Sequence, residues 1–187
     1  MKLVVGLGNV GLEYENTRHN VGFMYLDYLC GTSNFVVNKK FNAMEYTTTI
    51  LGEKVIFVKP MTFMNLSGEA VLKYVNYYKI NLDDVLVIQD DLDMPLGRKK
   101  LLYNHGAGGH NGIKNIILNL NSSSFLRLKI GISKVNKKDT IDYVLGKFNA
   151  DELLVLRLVF DSLNSFVLDY VGMNRDILIG KYNREEV

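Results

Sequence analysis

Four polar clusters contain the side chains that could carry out chemistry in this chain. They lie at residues 9–19, 59–68, 89–93 and 105–112. The first cluster contains His19, and histidine is the side chain best suited to general-base catalysis near neutral pH. The third contains Asp90, a carboxylate that could fix the tautomer of such a base and stabilise its imidazolium form. The residue types therefore predict a His–Asp pair that activates a nucleophile.

Water is the nucleophile that this composition predicts. No serine or cysteine lies in the context of a nucleophile elbow, and the three histidines have neither cysteine partners nor the H-E-x-x-H spacing of a zinc site. Asparagines recur in the clusters as Asn9, Asn65 and Asn111, and neutral amides could hold an ester or peptide group and stabilise an oxyanion. We interpret the clusters as a site for metal-free hydrolysis by water.

Each cluster also has an explanation without catalysis. A lone histidine such as His19 more often lies at the surface or at the rim of a core, and Asn65 could cap a helix. The acids Asp90, Asp91 and Asp93 could form a solvated turn, or a site for a hard cation with oxygen ligands. These alternatives stay open for each cluster alone, but four such clusters in one small domain favour a functional site.

A glycine pattern near residue 6 has the spacing of a dinucleotide-binding motif. Gly6, Gly8 and Gly11 form G-x-G-x-x-G after an apolar run. In that motif the last glycine begins a helix whose N-terminus binds the pyrophosphate. Here the polar stretch 12–20 intervenes, and apolar residues at helical spacing begin only at Val21. The pattern favours a catalytic loop, with a nucleotide-dependent enzyme and a non-catalytic RNA-binding module as the alternatives.

Alternating strand and helix patterns predict the elements that must position these clusters. Strands are predicted at residues 3–5, 47–51, 54–58, 84–88 and 128–132, with a weaker candidate at 98–102, and helices at 21–29, 67–78, 111–120 and 151–171. The predicted fold class is α/β: a single domain over 1–187 with a central mixed, largely parallel twisted sheet flanked by helices. The mixed character comes from a hairpin expected near Gly52. If the strands run in one direction, three of the clusters meet at their carboxyl ends, where ligands bind in open α/β sheets.

Composition and charge limit the class of protein. The chain has 187 residues, of which 48% are hydrophobic and 22% charged, as is typical of a globular protein. No apolar run approaches the roughly 20 residues that span a membrane, so neither a span nor a signal peptide is expected. The single cysteine, Cys30, excludes an intrachain disulfide, fits a reducing cytosol and is expected to be a packed, inert thiol.

The stretch 98–138 has a local excess of positive charge, although the formal net charge of the chain is only +2. Its basic residues include Lys99, Lys100, Lys114, Arg127, Lys129, Lys134, Lys137 and Lys138. Binding of a nucleic acid requires cations that neutralise phosphates, and these side chains are candidates for that role. The alternative is a set of scattered surface lysines.

Six ordered segments and one tyrosine together resemble the bacterial-type peptidyl-tRNA hydrolases over nearly the whole chain. They are residues 5–9, Tyr14, 17–22, 62–68, 90–93, 108–112 and 127–132. The resemblance implies a monomeric, cytosolic esterase without metal or cofactor that cleaves the ester between a peptide and the 3′-terminal ribose of tRNA. Its substrate would be peptidyl-tRNA released prematurely by ribosomes, held by the 3′ end and acceptor stem, and the stalled large ribosomal subunit is a further candidate partner.

The resemblance also implies roles for individual residues. His19 would activate water, Asp90 would favour the basic form of His19, and Asn9 would help to distinguish an N-blocked peptidyl ester from a free aminoacyl ester. The residues expected to contact the peptide or the tRNA are Tyr14, Phe63, Asn65, Asn111, Lys100, Arg127 and Lys129. Lys129 stands where a second arginine is common in the family, and a lysine contacts phosphate as a point charge rather than as a planar fork.

Overall fold

A seven-stranded mixed sheet between two layers of helices forms the framework of the computed structural model, which describes residues 1–133 and 140–184. The strands are β1 (Lys2–Gly6), β2 (Val36–Asn38), β3 (Ala43–Ile50), β4 (Glu53–Pro60), β5 (Val85–Pro95), β6 (Lys99–Tyr103) and β7 (Leu126–Ser133). The helices are α1 (Val21–Cys30), α2 (Ser67–Tyr78), α3 (Asn111–Leu120), α4 (Thr140–Leu145), α5 (Ala150–Ser162), α6 (Phe166–Gly172) and α7 (Arg175–Tyr182).

The sheet has a parallel centre and antiparallel edges, in the order β2-β3-β4-β1-β5-β7-β6. Strand β1 pairs in parallel with β4 and β5, and β5 pairs in parallel with β7. Strands β3 and β4 form the expected hairpin, in which Leu51 and Gly52 connect the paired residues Ile50 and Glu53. Both connecting residues have positive φ, at 50° and 77°, as a two-residue hairpin turn of type I′ requires. The predicted α/β class with a mixed, largely parallel sheet is confirmed.

Both faces of the central strands are buried, which explains their nearly continuous apolar sequences. In β1, Val4 packs on the face covered by α1, α5, α6 and α7, whereas Leu3 and Val5 pack on the face covered by α2 and α3. Each helix layer therefore seals one core and leaves the carboxyl ends of the strands accessible to a ligand. Within residues 1–133 and 140–184, no helix has the length and apolar character that crossing a membrane requires.

The single helix predicted over 151–171 is wrong, because the segment forms two helices. Helix α5 ends at Ser162, and α6 begins at Phe166. The hydroxyl of Ser162 donates to the carbonyl oxygen of Val159 at 2.6 Å, a local bond that competes with regular helix hydrogen bonding. Apolar residues continue at helical spacing through the break, so the sequence pattern did not predict it.

The sequence patterns also missed or shortened other elements. Strand β2 and helices α4 and α7 were not predicted, and β2 has only three residues, two of them exposed valines. Strand β5 was expected to end at residue 88 but continues to Pro95. The acidic cluster predicted to follow the strand therefore begins inside it, and Asp90 is held by the sheet rather than by a loop.

Two glycines explain how closely α1 approaches the sheet. A Cβ on Gly6 would lie 2.5 Å from the carbonyl oxygen of Gly22, and a Cβ on Gly22 would lie 2.5 Å from the backbone nitrogen of Leu7. Both neighbours are backbone atoms, which cannot move aside cheaply. The first glycine of the G-x-G-x-x-G pattern thus permits close packing of β1 against α1, and the polar stretch that follows Gly11 precedes the helix, as predicted.

Substitution of Gly22 by alanine should destabilise the fold strongly. The added methyl group would overlap backbone atoms of Leu7 and Ile88, and overpacking of this kind costs about 1–3 kcal/mol or more. Gly180→Ala is the matched control, because a Cβ there meets no atom within 4 Å and alanine favours a helix interior. Urea unfolding measures both variants, and equal stabilities would contradict the packing role of Gly22.

Candidate active site

Three of the four polar clusters meet because β1, β4 and β5 run in the same direction. The loop after β1 carries Asn9 and Tyr14 and then forms a short 3₁₀ turn, Arg18–Asn20, immediately before α1. Strand β5 brings Asp90 to the same edge of the sheet. The chain thereby places His19 of the turn directly against the carboxylate of Asp90.

His19 and Asp90 form a hydrogen-bonded pair. The Nδ1 atom of His19 lies 2.9 Å from Oδ1 and 2.8 Å from Oδ2 of Asp90. An ionised carboxylate only accepts hydrogen bonds, so Nδ1 carries the proton and the lone pair of a neutral ring is on Nε2. The side chain of Asp90 is 3% exposed and that of His19 is 13% exposed, so the pair is shielded but the imidazole reaches a cavity.

A second histidine, His110, contacts the same carboxylate. Its Nε2 atom lies 2.9 Å from Oδ1 of Asp90, and its Nδ1 atom accepts a hydrogen bond from the backbone N–H of Ile113 at 3.2 Å. His110 is thus the N-cap of α3, and this cap requires that Nε2 carry the proton and donate to Asp90. The sequence interpretation assigned His110 no role in the site, although its position at a helix start after two glycines was a usable signal.

Asp90 is a buried anion between two imidazoles. Burial alone would raise the pKa of its carboxyl group, but His110 and His19, through charge and hydrogen bonding, outweigh burial and hold this pKa well below its ordinary value. The carboxylate is therefore ionised at neutral pH. Because the pKa is lowered in the folded state, this ionisation stabilises the fold above the usual carboxyl range, and that contribution is lost as the pH falls below it.

The same three side chains could be considered as metal ligands, since their donor atoms lie within 4.8 Å of one another. A metal would need the lone pair of His110 Nε2, which would move the proton to Nδ1 and break the cap on α3. The hydrogen bonds therefore fit a proton-bearing triad better than a metal centre. In the neighbouring acidic cluster, Asp91 binds Lys129 at 2.7 Å and accepts from the backbone N–H of Asp93, which leaves less of it available for a cation.

Asn9 is fixed by a network that leaves one group of its amide for a ligand. Its Oδ1 atom accepts from the backbone N–H of Met64 at 2.7 Å, and its backbone exchanges two hydrogen bonds with the side chain of Asn20. Phe63, the residue before Met64, has a φ of 62°, an unusual backbone conformation for a large side chain. The Nδ2 group of Asn9 remains as the donor. Asn20 was not predicted as part of this site.

The amide residues expected at the site line a second, smaller groove, and the two expected aromatic residues pack against each other. The rings of Tyr14 and Phe63 pack edge to face with centroids 6.3 Å apart, and Phe63 is half exposed. Asn65 and Asn111 line this groove together with other residues of α3, and Asn111 also lines the main cavity with His19. Asn111 therefore stands at the junction of the two spaces.

The main cavity has a volume of about 420 Å³ and is lined by both polar and apolar side chains. Arg127 lines the cavity and is only 3% exposed, so it can contact only a group that enters the cavity, not an RNA backbone on the open surface. Lys129 is held by Asp91, and the exposed Lys100 is its partner on the neighbouring strand. The expected basic residues Lys134, Lys137 and Lys138 lie outside the described residues.

An α/β sheet that presents a histidine, oriented by a buried carboxylate, to a cavity is the arrangement of enzymes that use an imidazole as a general base. The site defines this class, because the same fold can carry many different chemistries. Similar proteins of known family identify the family of this chain.

The family model of peptidyl-tRNA hydrolase matches residues 3–186. The peptidyl-tRNA hydrolase of Mycoplasma capricolum subsp. capricolum is 45% identical over 186 residues, covering 98% of this chain and all of that protein. That of Clostridium novyi is 43% identical over 184 residues, covering 98% of each chain. The crystal structure of the Acinetobacter baumannii peptidyl-tRNA hydrolase superposes with a TM-score of 0.91 at 33% identity, covering 100% of this chain and 96% of that one. The chain belongs to the peptidyl-tRNA hydrolase family.

Two substitutions of His110 should separate its two structural roles. His110→Ala removes both the cap on α3 and a hydrogen-bond donor to buried Asp90, whereas His110→Asn keeps a capping acceptor but is too short to reach Asp90. Loss of a cap costs about 1 kcal/mol, so the asparagine variant should recover about that much of the lost free energy of unfolding. Urea unfolding at neutral pH measures the difference, and an asparagine variant no more stable than the alanine variant would contradict the capping role.

Proposed function

We propose that this chain hydrolyses the ester of peptidyl-tRNA and thereby frees the tRNA, with His19 as the general base and Asp90 as its orienting partner. The family membership supports the substrate and the reaction. The single observation that supports the mechanism is the hydrogen bond from His19 Nδ1 to Asp90, because it leaves Nε2 as the basic atom beside the cavity. General-base catalysis needs that atom within hydrogen-bond reach of the attacking water.

The proposed reaction has two proton transfers. His19 Nε2 removes a proton from water while the water oxygen attacks the ester carbonyl, and the tetrahedral intermediate forms. The imidazolium, stabilised by the negative charge of Asp90, then donates its proton to the 3′-ribose oxygen of the tRNA as the carbon–oxygen ester bond breaks. The products are a peptide with a free carboxyl group, which releases its proton to solvent, and a tRNA with a free ribose hydroxyl.

The amides near His19 account for recognition of the substrate. In the proposal, Asn9 Nδ2 donates to a carbonyl oxygen of the N-blocked peptide, an acceptor that a free aminoacyl ester lacks. A site built to pair with one substrate group rejects an analogue without that group, because its own polar atom stays unpaired. In the proposal, Asn111 and Asn65, which line the smaller groove, hold the ester and the adjoining peptide, and the packed rings of Tyr14 and Phe63 contact the peptide or the 3′ end of the tRNA.

The tRNA would lie across β6 and β7, where Lys100 is exposed. In this arrangement the 3′ end enters the main cavity, which Arg127 and Lys129 line. The acceptor stem contacts exposed lysines such as Lys100. We further propose that the chain acts in the cytoplasm as a single-domain monomer without cofactor, and that peptidyl-tRNA on a stalled large ribosomal subunit is one source of substrate.

Replacement of His19 by alanine should abolish most hydrolysis while leaving the fold and tRNA binding nearly intact. Removal of a general base costs about 10²–10⁴-fold in rate. The assay measures tRNA released from an N-acylated aminoacyl-tRNA, together with the melting temperature and the Kd for uncharged tRNA. Turnover near the wild-type rate would remove His19 from the mechanism, and a wild-type protein that binds tRNA without turnover would instead support an RNA-binding module.

Asp90→Asn is the companion variant of this experiment. It should slow turnover less than His19→Ala and move the acid limb of the pH–rate profile to lower pH, since the imidazolium loses a stabilising negative charge. In the wild-type protein the acid limb should not come from Asp90, because the lowered pKa of this carboxyl group keeps it ionised well below neutral pH. An unchanged rate and profile would contradict the pairing, and inhibition by added chelator would revive the metal interpretation of the acidic cluster.

A further inference from the structure

A buried ion pair next to the proposed base belongs to no step of the mechanism. Arg18 precedes His19 in the 3₁₀ turn, and its Nη2 atom lies 3.1 Å from Oε1 of Glu152 at the start of α5. The side chains are 11% and 5% exposed. Ionised groups this deeply buried are held by their partners, and removal of one leaves the other uncompensated.

The guanidinium of Arg18 also binds the helix that precedes α5. Its Nη1 atom donates to the carbonyl oxygen of Tyr143 in α4 at 3.2 Å, and its centre lies 4.3 Å from the centroid of the Tyr143 ring. Glu152 is fixed independently, because it forms a capping box with Asn149 in which each side chain accepts from the other's backbone N–H. Arg18 is therefore bound to both α4 and α5.

The main chain of the same turn is bonded to the same segment. The N–H of Arg18 donates to the carbonyl oxygen of Gly146 at 3.0 Å, the N–H of Phe148 donates to that of Asn16 at 2.9 Å, and Thr17 pairs with Lys147. Gly146 leaves space for the guanidinium because it has no side chain. A Cβ at this position would lie 2.7 Å from Arg18 Nη1. The turn that carries His19 thus rests on residues 143–152.

Helix α4 has a second face that lines the main cavity. Thr140, Ile141 and Val144 form part of the wall that faces the acidic strand end of β5. The segment that anchors Arg18 is therefore also the segment against which a substrate in the cavity would lie. One side chain connects the wall of the cavity to the turn that carries the proposed base.

We propose that Arg18 is a positioning residue for the hydrolysis: anchored on Glu152 and Tyr143, it fixes His19 against Asp90 and sets the place of the α4 wall relative to both. This inference rests on the proposed function, since it gives Arg18 a role only through His19. Arg18 contacts neither the reacting atoms nor the carboxylate of Asp90 in this arrangement. Its effect on the reaction is geometric, and a displacement of about 1 Å at a catalytic group can cost about 10²-fold in rate.

The test compares Arg18→Lys and Glu152→Gln with Arg157→Lys, a control in an exposed arginine–aspartate pair on α5 whose side chains are 67% and 50% exposed. Arg18→Lys keeps the charge but loses the planar fork that binds Glu152 and Tyr143 together. The assay temperature is well below the melting temperature of each variant. We expect kcat of Arg18→Lys and Glu152→Gln to fall roughly 10- to 100-fold, with a smaller rise in KM. The acid limb of the pH–rate profile should move to lower pH as His19 separates from Asp90, whereas Arg157→Lys should match the wild type.

The double variant Arg18→Lys/Glu152→Gln should lose less than the product of the two single losses, because both changes break one contact. If Arg18→Lys does not fold, Gly146→Ala provides the measurement, since the added methyl group would lie 2.7 Å from Arg18 Nη1 and 3.2–3.3 Å from the carbonyl oxygens of Asp142 and Tyr143, so the Arg18 anchor must shift to accept it. A lower melting temperature with wild-type kcat and pH profile would overturn the proposal. An inactive His19→Ala together with a wild-type Arg18→Lys contradicts the positioning role alone, whereas an active His19→Ala contradicts the proposed base itself.

Discussion

The buried carboxylate of Asp90 is the group on which the rest of the site depends. An ionised carboxylate that is only 3% exposed is stable only with hydrogen-bond donors beside it, and the two donors here are His19 and His110. These three residues come from a strand, a 3₁₀ turn and a helix N-terminus that are distant in the chain. The need to satisfy one buried charge therefore couples the positions of three separate elements and fixes which nitrogen of each imidazole carries a proton.

Close packing and electrostatics act together at this site. The turn that carries His19 can approach Asp90 only because Gly6 and Gly22 let α1 lie directly against β1 and the end of β5. The hydrogen bonds of Asn9 and Asn20 then hold the loop after β1, and Arg18 ties the same turn to α4 and α5. The proposed base is thus supported from the sheet, from the loop and from the helices, which is the preorganisation that a catalytic group requires.

The sequence predicted what local patterns encode and missed what depends on contacts between distant segments. Alternating strands and helices predicted the α/β sheet, and the polar strand ends predicted that His19 and Asp90 share one site. The break near Leu163 was missed because apolar spacing continued through it, and the extension of β5 was missed because acidic residues in a strand resemble a loop. The roles of His110 and Asn20, and the burial of Arg127, depend on how α3, α1 and β7 pack, which no local pattern reports.

The ring tautomers of the histidines test the proposed mechanism most directly. NMR of ¹⁵N-labelled protein at a pH where the imidazoles are neutral distinguishes a protonated Nδ1 from a protonated Nε2. The hydrogen bonds predict that His19 carries its proton on Nδ1 and His110 on Nε2, which leaves His19 Nε2 as the basic atom beside the cavity. A His19 ring protonated on Nε2 would leave no lone pair facing the cavity and would contradict general-base catalysis by this residue.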